Sequence, residues 1–244
     1  CHNCNQTFQM HTFKRKGDAQ KEYTKPEPTD EINISQKAED WFKGRGVSSQ
    51  TLFDLGVSEG LEYMPQTSKV ENTIQFNYFI GGELVNIKYR DGRKNFKLYK
   101  GAEKVFYNID ATNGYDSVYI VEGEMDVLSF HEAGIKNCIS VPNGATLNSN
   151  NLDYLDNCID YFADKEKVII AVDSDEAGQA LQSELVRRLG AELCYTLDFK
   201  DCKDANEYLQ KYGKEELAKR VHTAKAIPLE NVLTYREIEA DVED

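Results

Sequence analysis

Four short, uninterrupted apolar runs in the second half of the chain constrain its fold more than any other feature of the sequence. They are Val118-Tyr119-Ile120-Val121, Cys138-Ile139-Ser140-Val141, Val168-Ile169-Ile170-Ala171-Val172 and Leu193-Cys194-Tyr195-Thr196-Leu197. Helical patterns separate them, near 124–133, 151–163 and 176–189. In the last of these, Ala177, Leu181, Leu185 and Leu189 recur every four residues, and Gly190 closes the pattern. Strands that bury both faces and alternate with helices predict a parallel sheet in an α/β layer fold. Residues 204–226 add one or two further helices.

The first half follows another rhythm. Residues 14–31 carry two prolines, ten charges and no aliphatic residue beyond Ala19, which predicts an exposed linker. A helical pattern starts at Ser35, places Ala38, Trp41 and Phe42 on one face, and stops at Gly44-Arg45-Gly46. A short second helix runs from Ser48 to Leu55, capped by Ser48 or Ser49 and ended by Gly56. The period then becomes two: Ile74, Phe76 and Tyr78, then Leu84, Ile87 and Tyr89, then Phe96 and Leu98, and finally Val105 and Tyr107. Gly81-Gly82 and Asp91-Gly92 fall between these runs as hairpin turns. The expectation is a smaller α+β subdomain, mainly antiparallel.

Charge and cysteine usage narrow the function classes. The 42 acidic residues outnumber the 29 basic ones, for a net charge of −13. A general polyanion binder is excluded, because binding a phosphate backbone needs clustered Lys and Arg. One such cluster exists. Residues 84–105 hold seven cations, Lys88, Arg90, Arg93, Lys94, Lys97, Lys100 and Lys104, against only Asp91 and Glu103. Tyr89, Phe96 and Tyr99 are interleaved with them, a mixture suited to backbone neutralisation and base stacking on a single strand. A solvated hairpin face is the alternative. No run approaches the length of a membrane span, and no basic-then-apolar leader opens the sequence. Six cysteines in 244 residues do not make a disulfide framework, so a reducing, cytoplasmic compartment is expected. Cys1-His2-Asn3-Cys4 is a C-x-x-C knuckle able to hold half of a zinc site, with the other two ligands expected upstream.

Two of the predicted parallel strands end in acid. Val118–Val121 runs into Glu122-Gly123-Glu124-Met125-Asp126, and Val168–Val172 runs into Asp173-Ser174-Asp175-Glu176-Ala177-Gly178. Functional residues of open α/β sheets gather at such carboxyl ends. On extended backbone Asp173 and Asp175 face the same way. Two carboxylates about 5 Å apart repel by roughly 3 kcal/mol at an effective dielectric near 20. Glu122 sharpens that repulsion unless a hard divalent cation, magnesium or manganese, relieves it. Asp126 and Glu176 can equally be ordinary acids of a first helical turn.

The strand–EGEMD and strand–DSDEAG units, about 50 residues apart, resemble the two signatures of a TOPRIM domain. Val141-Pro142-Asn143-Gly144-Ala145 lies between them and Cys202-Lys203-Asp204-Ala205-Asn206-Glu207 follows. That order is similar to the primase half of phage primase–helicases and their mitochondrial relative Twinkle. The resemblance is specific over 118–210 and loose over 35–110. It implies the C-terminal half of a zinc ribbon at 1–13, a linker at 14–31, and the N-terminal subdomain of a primase core at 32–112. A TOPRIM domain with helices on both sheet faces follows at 113–226, then an acidic tether toward a helicase domain at 227–244. It further implies that Glu122, Asp173 and Asp175 are catalytic and bind magnesium. Asp204 is a further metal residue or the N-cap of a helix. Lys88, Arg90, Lys94, Lys97 and Phe96 border the nucleotide and template groove, and Gly123 and Gly178 give close backbone approach to the metal–phosphate region. Zinc would sit at Cys1 and Cys4 in an intact parent protein. The implied partners are single-stranded DNA, ribonucleoside triphosphates and a replicative helicase, in the cytoplasm of a bacterial or phage-infected cell, with no membrane. A TOPRIM nuclease and a non-catalytic DNA-gripping module of a helicase are the competing functions. No G-x-x-x-x-G-K-[ST] loop is present, so ATP-driven motor activity is not expected.

Overall fold

The computed structural model describes residues 22–27, 33–145 and 152–228. The C-x-x-C segment at Cys1 and Cys4, expected to hold half of a zinc site, most of the linker and nearly all of the acidic tail lie outside the described residues. Helix α1 (Gln36–Lys43) begins where Ser35 accepts the Ala38 N–H, and α2 (Ser49–Asp54) where Ser48 accepts that of Thr51. Phe42, Val47 and Leu52 bury the inner side of this pair. Four antiparallel strands follow in the order β1-β2-β3-β4: Val57–Met64, Lys69–Ile80, Glu83–Asp91 and Phe96–Leu98. Gly81 and Gly82 turn β2 into β3 at φ +59° and +78°, the left-handed region a tight hairpin demands. Both of their N–H groups donate to the Asp110 carboxylate, at 2.9 and 3.0 Å. Val105 and Tyr107 do not extend this sheet, contrary to their alternation. Tyr107 instead makes an antiparallel bridge to Ser140, which ties the segment to the second sheet.

That second sheet has the order β6-β5-β7-β8-β9. Strands β5 (Ser117–Val121), β6 (Cys138–Ser140), β7 (Lys167–Ile170) and β8 (Cys194–Thr196) are mutually parallel, and a short β9 (Lys225–Ala226) closes the edge antiparallel. Helices α3 (Glu124–Glu132), α4 (Asp153–Asn157) and α5 (Glu176–Leu189) alternate with these strands, and α6 (Ala205–Tyr212) and α7 (Lys214–Arg220) follow β8. The apolar runs sit where their two-sided burial predicts: Val118, Ile120, Val121, Val168 and Ile170 are fully enclosed. No described helix is long and apolar enough to cross a membrane.

The two sheets share one core. Phe76, Tyr78 and Tyr107 pack edge-to-face and belong to the same buried cluster as β5, β6 and β7. The 3-10 turn Ile109–Thr112 joins the two sheets, with Ile109 fully buried. Burial on both sides of the antiparallel sheet has a consequence for β3. Lys88 pairs across with Phe76, and Arg90 with Ile74, so these two cations share the face turned toward the parallel sheet. Ile87 and Tyr89 point the other way, into a small second cluster with Met64.

Candidate active-site cleft

The cleft lies where β3 and β4 face the carboxyl ends of β5 and β7, and encloses about 610 Å³. One wall carries Phe76, Lys88, Arg90, Phe96 and Lys97. The other carries Glu122, Glu124, Asp126, Asp173 and Asp204, with Pro142, Asn143 and Gly144 at its edge. A cationic, partly aromatic wall therefore stands opposite an acidic one.

Glu122 directly follows β5 and its carboxylate accepts the Asp173 N–H at 3.0 Å, which ties together the segments that leave β5 and β7. Burial, and then the Asp173 charge, push its carboxyl up to about 7. Asp173 is raised mainly by burial, partly offset by the Lys203 ammonium 3.0 Å from its carboxylate. Asp126 is buried and held well above the usual range, by burial and then by Asp204, although it accepts the Asn206 N–H at 3.1 Å. Gly178 permits the junction. A Cβ there would fall 2.1 Å from the Asp173 carbonyl oxygen and 2.7 Å from a Glu122 carboxylate oxygen, so no side chain fits. The close approach it gives is between α5 and the strand end.

Asp173 and Asp175 do not present their carboxylates alike. Asp175 is the N-cap of α5 and accepts the Gly178 N–H at 2.9 Å, because a helix beginning at Glu176 leaves N–H groups that need an acceptor. It stands outside the cleft lining but still raises the proton affinity of Glu122 and Asp173. Asp204 is the N-cap of α6, accepting the Glu207 N–H at 2.7 Å, and it also lines the cleft.

On the opposite wall the predicted cations differ. Lys88 is 8% exposed, and both oxygens of the buried Glu124 carboxylate accept from its ammonium, at 2.9 and 3.0 Å. The Tyr78 hydroxyl donates to the same carboxylate. Lys97 pairs with Glu62 at 2.6 Å while lining the cleft. Arg90 stacks on Trp41 and, less closely, on Phe96, which is 43% exposed. Lys94 sits at φ +64° in the β3–β4 turn, exposed and outside the cleft lining. Glu124, Lys203 and Asn206 join the site without a local signal that marks them, and Asp126, which the sequence left open as a first-turn acid, lines the cleft.

The donor set suits a hard divalent cation: its groups are carboxylate oxygens, three of them with raised proton affinity, facing one nearby ammonium. Among the described residues no three Asp, Glu, His or Cys side chains are arranged so that they could together hold a metal ion. The electrostatic strain itself is measurable in the metal-free chain. Glu122 keeps its proton when folded at pH values where the unfolded chain has released it. Stability is therefore lost as pH rises from the unfolded value of 4.5 toward about 7. Glu122→Gln removes that loss. The variant should match the parent near pH 4 and exceed it by on the order of 1–2 kcal/mol near pH 8, after allowance for solvent screening. Urea titrations at both pH values check this, and equal differences at the two would refute it.

A family described as Toprim-like matches residues 119–209. The chain is 36% identical over 215 residues to the primase homolog protein of Arabidopsis thaliana, an alignment covering 81% of this chain and 62% of that protein. It is 32% identical over 221 residues to the Twinkle homolog protein, chloroplastic/mitochondrial, of the same plant, covering 84% and 30%. The chain thus spans under two thirds of the length of either relative. Among solved structures, the primase fragment of the bacteriophage T7 primase-helicase protein superposes with a TM-score of 0.61 at 27% identity, over 73% of this chain and 72% of that one.

Proposed function

We propose that the chain is a primase core that makes short RNA primers on single-stranded DNA, because residues 119–209 match a Toprim-like family and the chain resembles the primase part of phage primase–helicases. One observation carries this reading: a single cleft sets strand-end acids against Arg90, Lys97 and Phe96. Glu122, Asp173 and Asp204, with Asp175 beside them, would hold magnesium or manganese. When bound, the cation supplies activation of a primer hydroxyl and stabilisation of charge on the reacting phosphate. The chain's own groups do the rest. Lys203 offsets part of the acidic charge at Asp173, Arg90 and Lys97 neutralise phosphates, and the exposed Phe96 ring offers a stacking surface. Cys1 and Cys4 would contribute to a zinc site in a longer parent, whose helicase part would use the acidic tail as its tether. The free, buried Cys138, Cys158, Cys194 and Cys202 suit a reducing compartment.

Incubation with labelled ribonucleotides, single-stranded DNA and magnesium or manganese tests the reading. Short RNA is the expected product. DNA nicking without RNA would favour the nuclease, and DNA binding without either product the non-catalytic module. Binding should also weaken with salt. With Lys88 committed to Glu124, three of the four cations expected at the groove remain, Lys97 by exchanging Glu62 for a phosphate, so log K against log salt should slope near −2, at roughly −0.7 per contact. An unchanged slope after joint neutralisation of Arg90, Lys94 and Lys97 would return the segment to a solvated hairpin.

A further inference from the structure

Trp41 is the one tryptophan in the chain, and two arginines converge on it. The guanidinium carbons of Arg45 and Arg90 each lie 4.6 Å from its ring centroid. They arrive from different elements, Arg45 from the turn after α1 and Arg90 from β3. Like charges gathered on one ring repel, yet among the described residues neither guanidinium forms a direct ion pair: Arg90 donates to the Asp91 carbonyl at 3.4 Å and feels the Asp91 charge without touching its carboxylate. Arg45 is instead anchored through an amide: its guanidinium donates to the Asn206 side chain at 3.3 Å, and its carbonyl accepts from that side chain at 3.0 Å. Asn206 in turn donates its backbone N–H to Asp126 on the acidic wall. Arg90 lines the cleft and reaches Phe96 on its other flank. With two guanidiniums already on it, the ring is a holder of cations rather than a surface on which a base stacks.

We propose that Trp41 is a positioning residue: it fixes Arg45 and Arg90 as a paired fork beside the cleft, and the fork binds a phosphate group of a nucleotide or of a nucleic-acid strand. Two planar cations held against one ring keep their N–H donors ordered without a direct carboxylate ion pair, the state in which an incoming phosphate gains most. The proposal deepens the primase reading and rests on the cleft being a phosphate-handling site.

The test uses the full chain and reads Trp41 emission during titration with ATP, with an oligodeoxythymidylate lacking a terminal phosphate, and with adenosine. A saturable change with a phosphate-bearing probe and none with adenosine is expected. A response to ATP alone assigns the fork to the nucleotide, a response to the oligonucleotide alone assigns it to the strand backbone, and a response to neither overturns the proposal. Calorimetry with the effective probe should then show Trp41→Leu weakening binding about fivefold and Trp41→Phe less than about twofold, since a phenyl ring keeps part of the cation–π attraction. In an Arg45→Ala/Arg90→Ala background, Trp41→Leu should have no further effect. An equal loss there would mean that Trp41 only supports the fold, and would overturn its positioning role. Trp41→Phe carries the same comparison if Trp41→Leu does not fold. RNA synthesis plays no part in these readouts. Coupled phosphate binding by a chain that makes no RNA would sink the proposed function alone, and RNA synthesis without the coupling would sink this proposal alone.

Discussion

Asp173→Asn should abolish RNA synthesis, by about a thousandfold or more, while leaving the fold in place. The two effects separate because of what surrounds the group. Asp173 holds its charge against burial and against the Asp204 and Asp175 carboxylates, so the isosteric amide relieves repulsion. The interaction it loses is the pair with Lys203, whose side chain is 61% exposed, and such a pair contributes no more than about 1 kcal/mol. Its backbone N–H still reaches Glu122 in the variant. Urea midpoints within about 1 kcal/mol of the parent, beside a blank primer lane, are the expected result. Full activity in the variant would remove Asp173 from the mechanism. A collapsed midpoint would make its role structural.

The parallel half of the fold was legible because its physics is local. Continuous apolar runs demand strands covered on both faces, and the four-residue recurrence ending at Gly190 marked α5 as Glu176–Leu189. Strand β1 was missed because Val57–Met64 mixes buried ends with exposed Leu61 and Tyr63, as an edge strand does, and shows no clean alternation. Val105 and Tyr107 looked like a strand because they alternate, but alternation records which side is buried and not which partner pairs. The same limit governs the site. Acids ending two apolar runs placed Glu122 and Asp173 at one point. The turn of Asp175 toward Gly178 depends on where α5 starts, and the link from Asp126 to Asn206 joins residues 80 positions apart. Asn206 appeared in the quoted motif, but nothing local connects it to Arg45 or to the acidic wall.

Lys88 shows how such a limit changes an expected phenotype. As a cation of a basic hairpin, its replacement by Ala would weaken DNA binding and leave stability alone. Its place in β3 opposite Phe76 puts it on the covered face, where its ammonium meets both oxygens of the buried Glu124 and the Tyr78 hydroxyl donates beside it. Lys88→Ala would leave that carboxylate enclosed without a cation, which should destabilise the chain by about 3–5 kcal/mol. Tyr78→Phe removes only a neutral donor and should cost about 1–2 kcal/mol. Pairing Lys88→Met with Glu124→Gln should recover most of the loss, since neither charge then remains buried. Because the pair ties β3 to the first turn of α3, Lys88→Ala should also loosen the two walls of the cleft, seen as faster amide exchange in β3 and α3. A Lys88→Ala chain as stable as the parent, with reduced affinity for single-stranded DNA, would reverse the assignment and make Lys88 a phosphate contact after all.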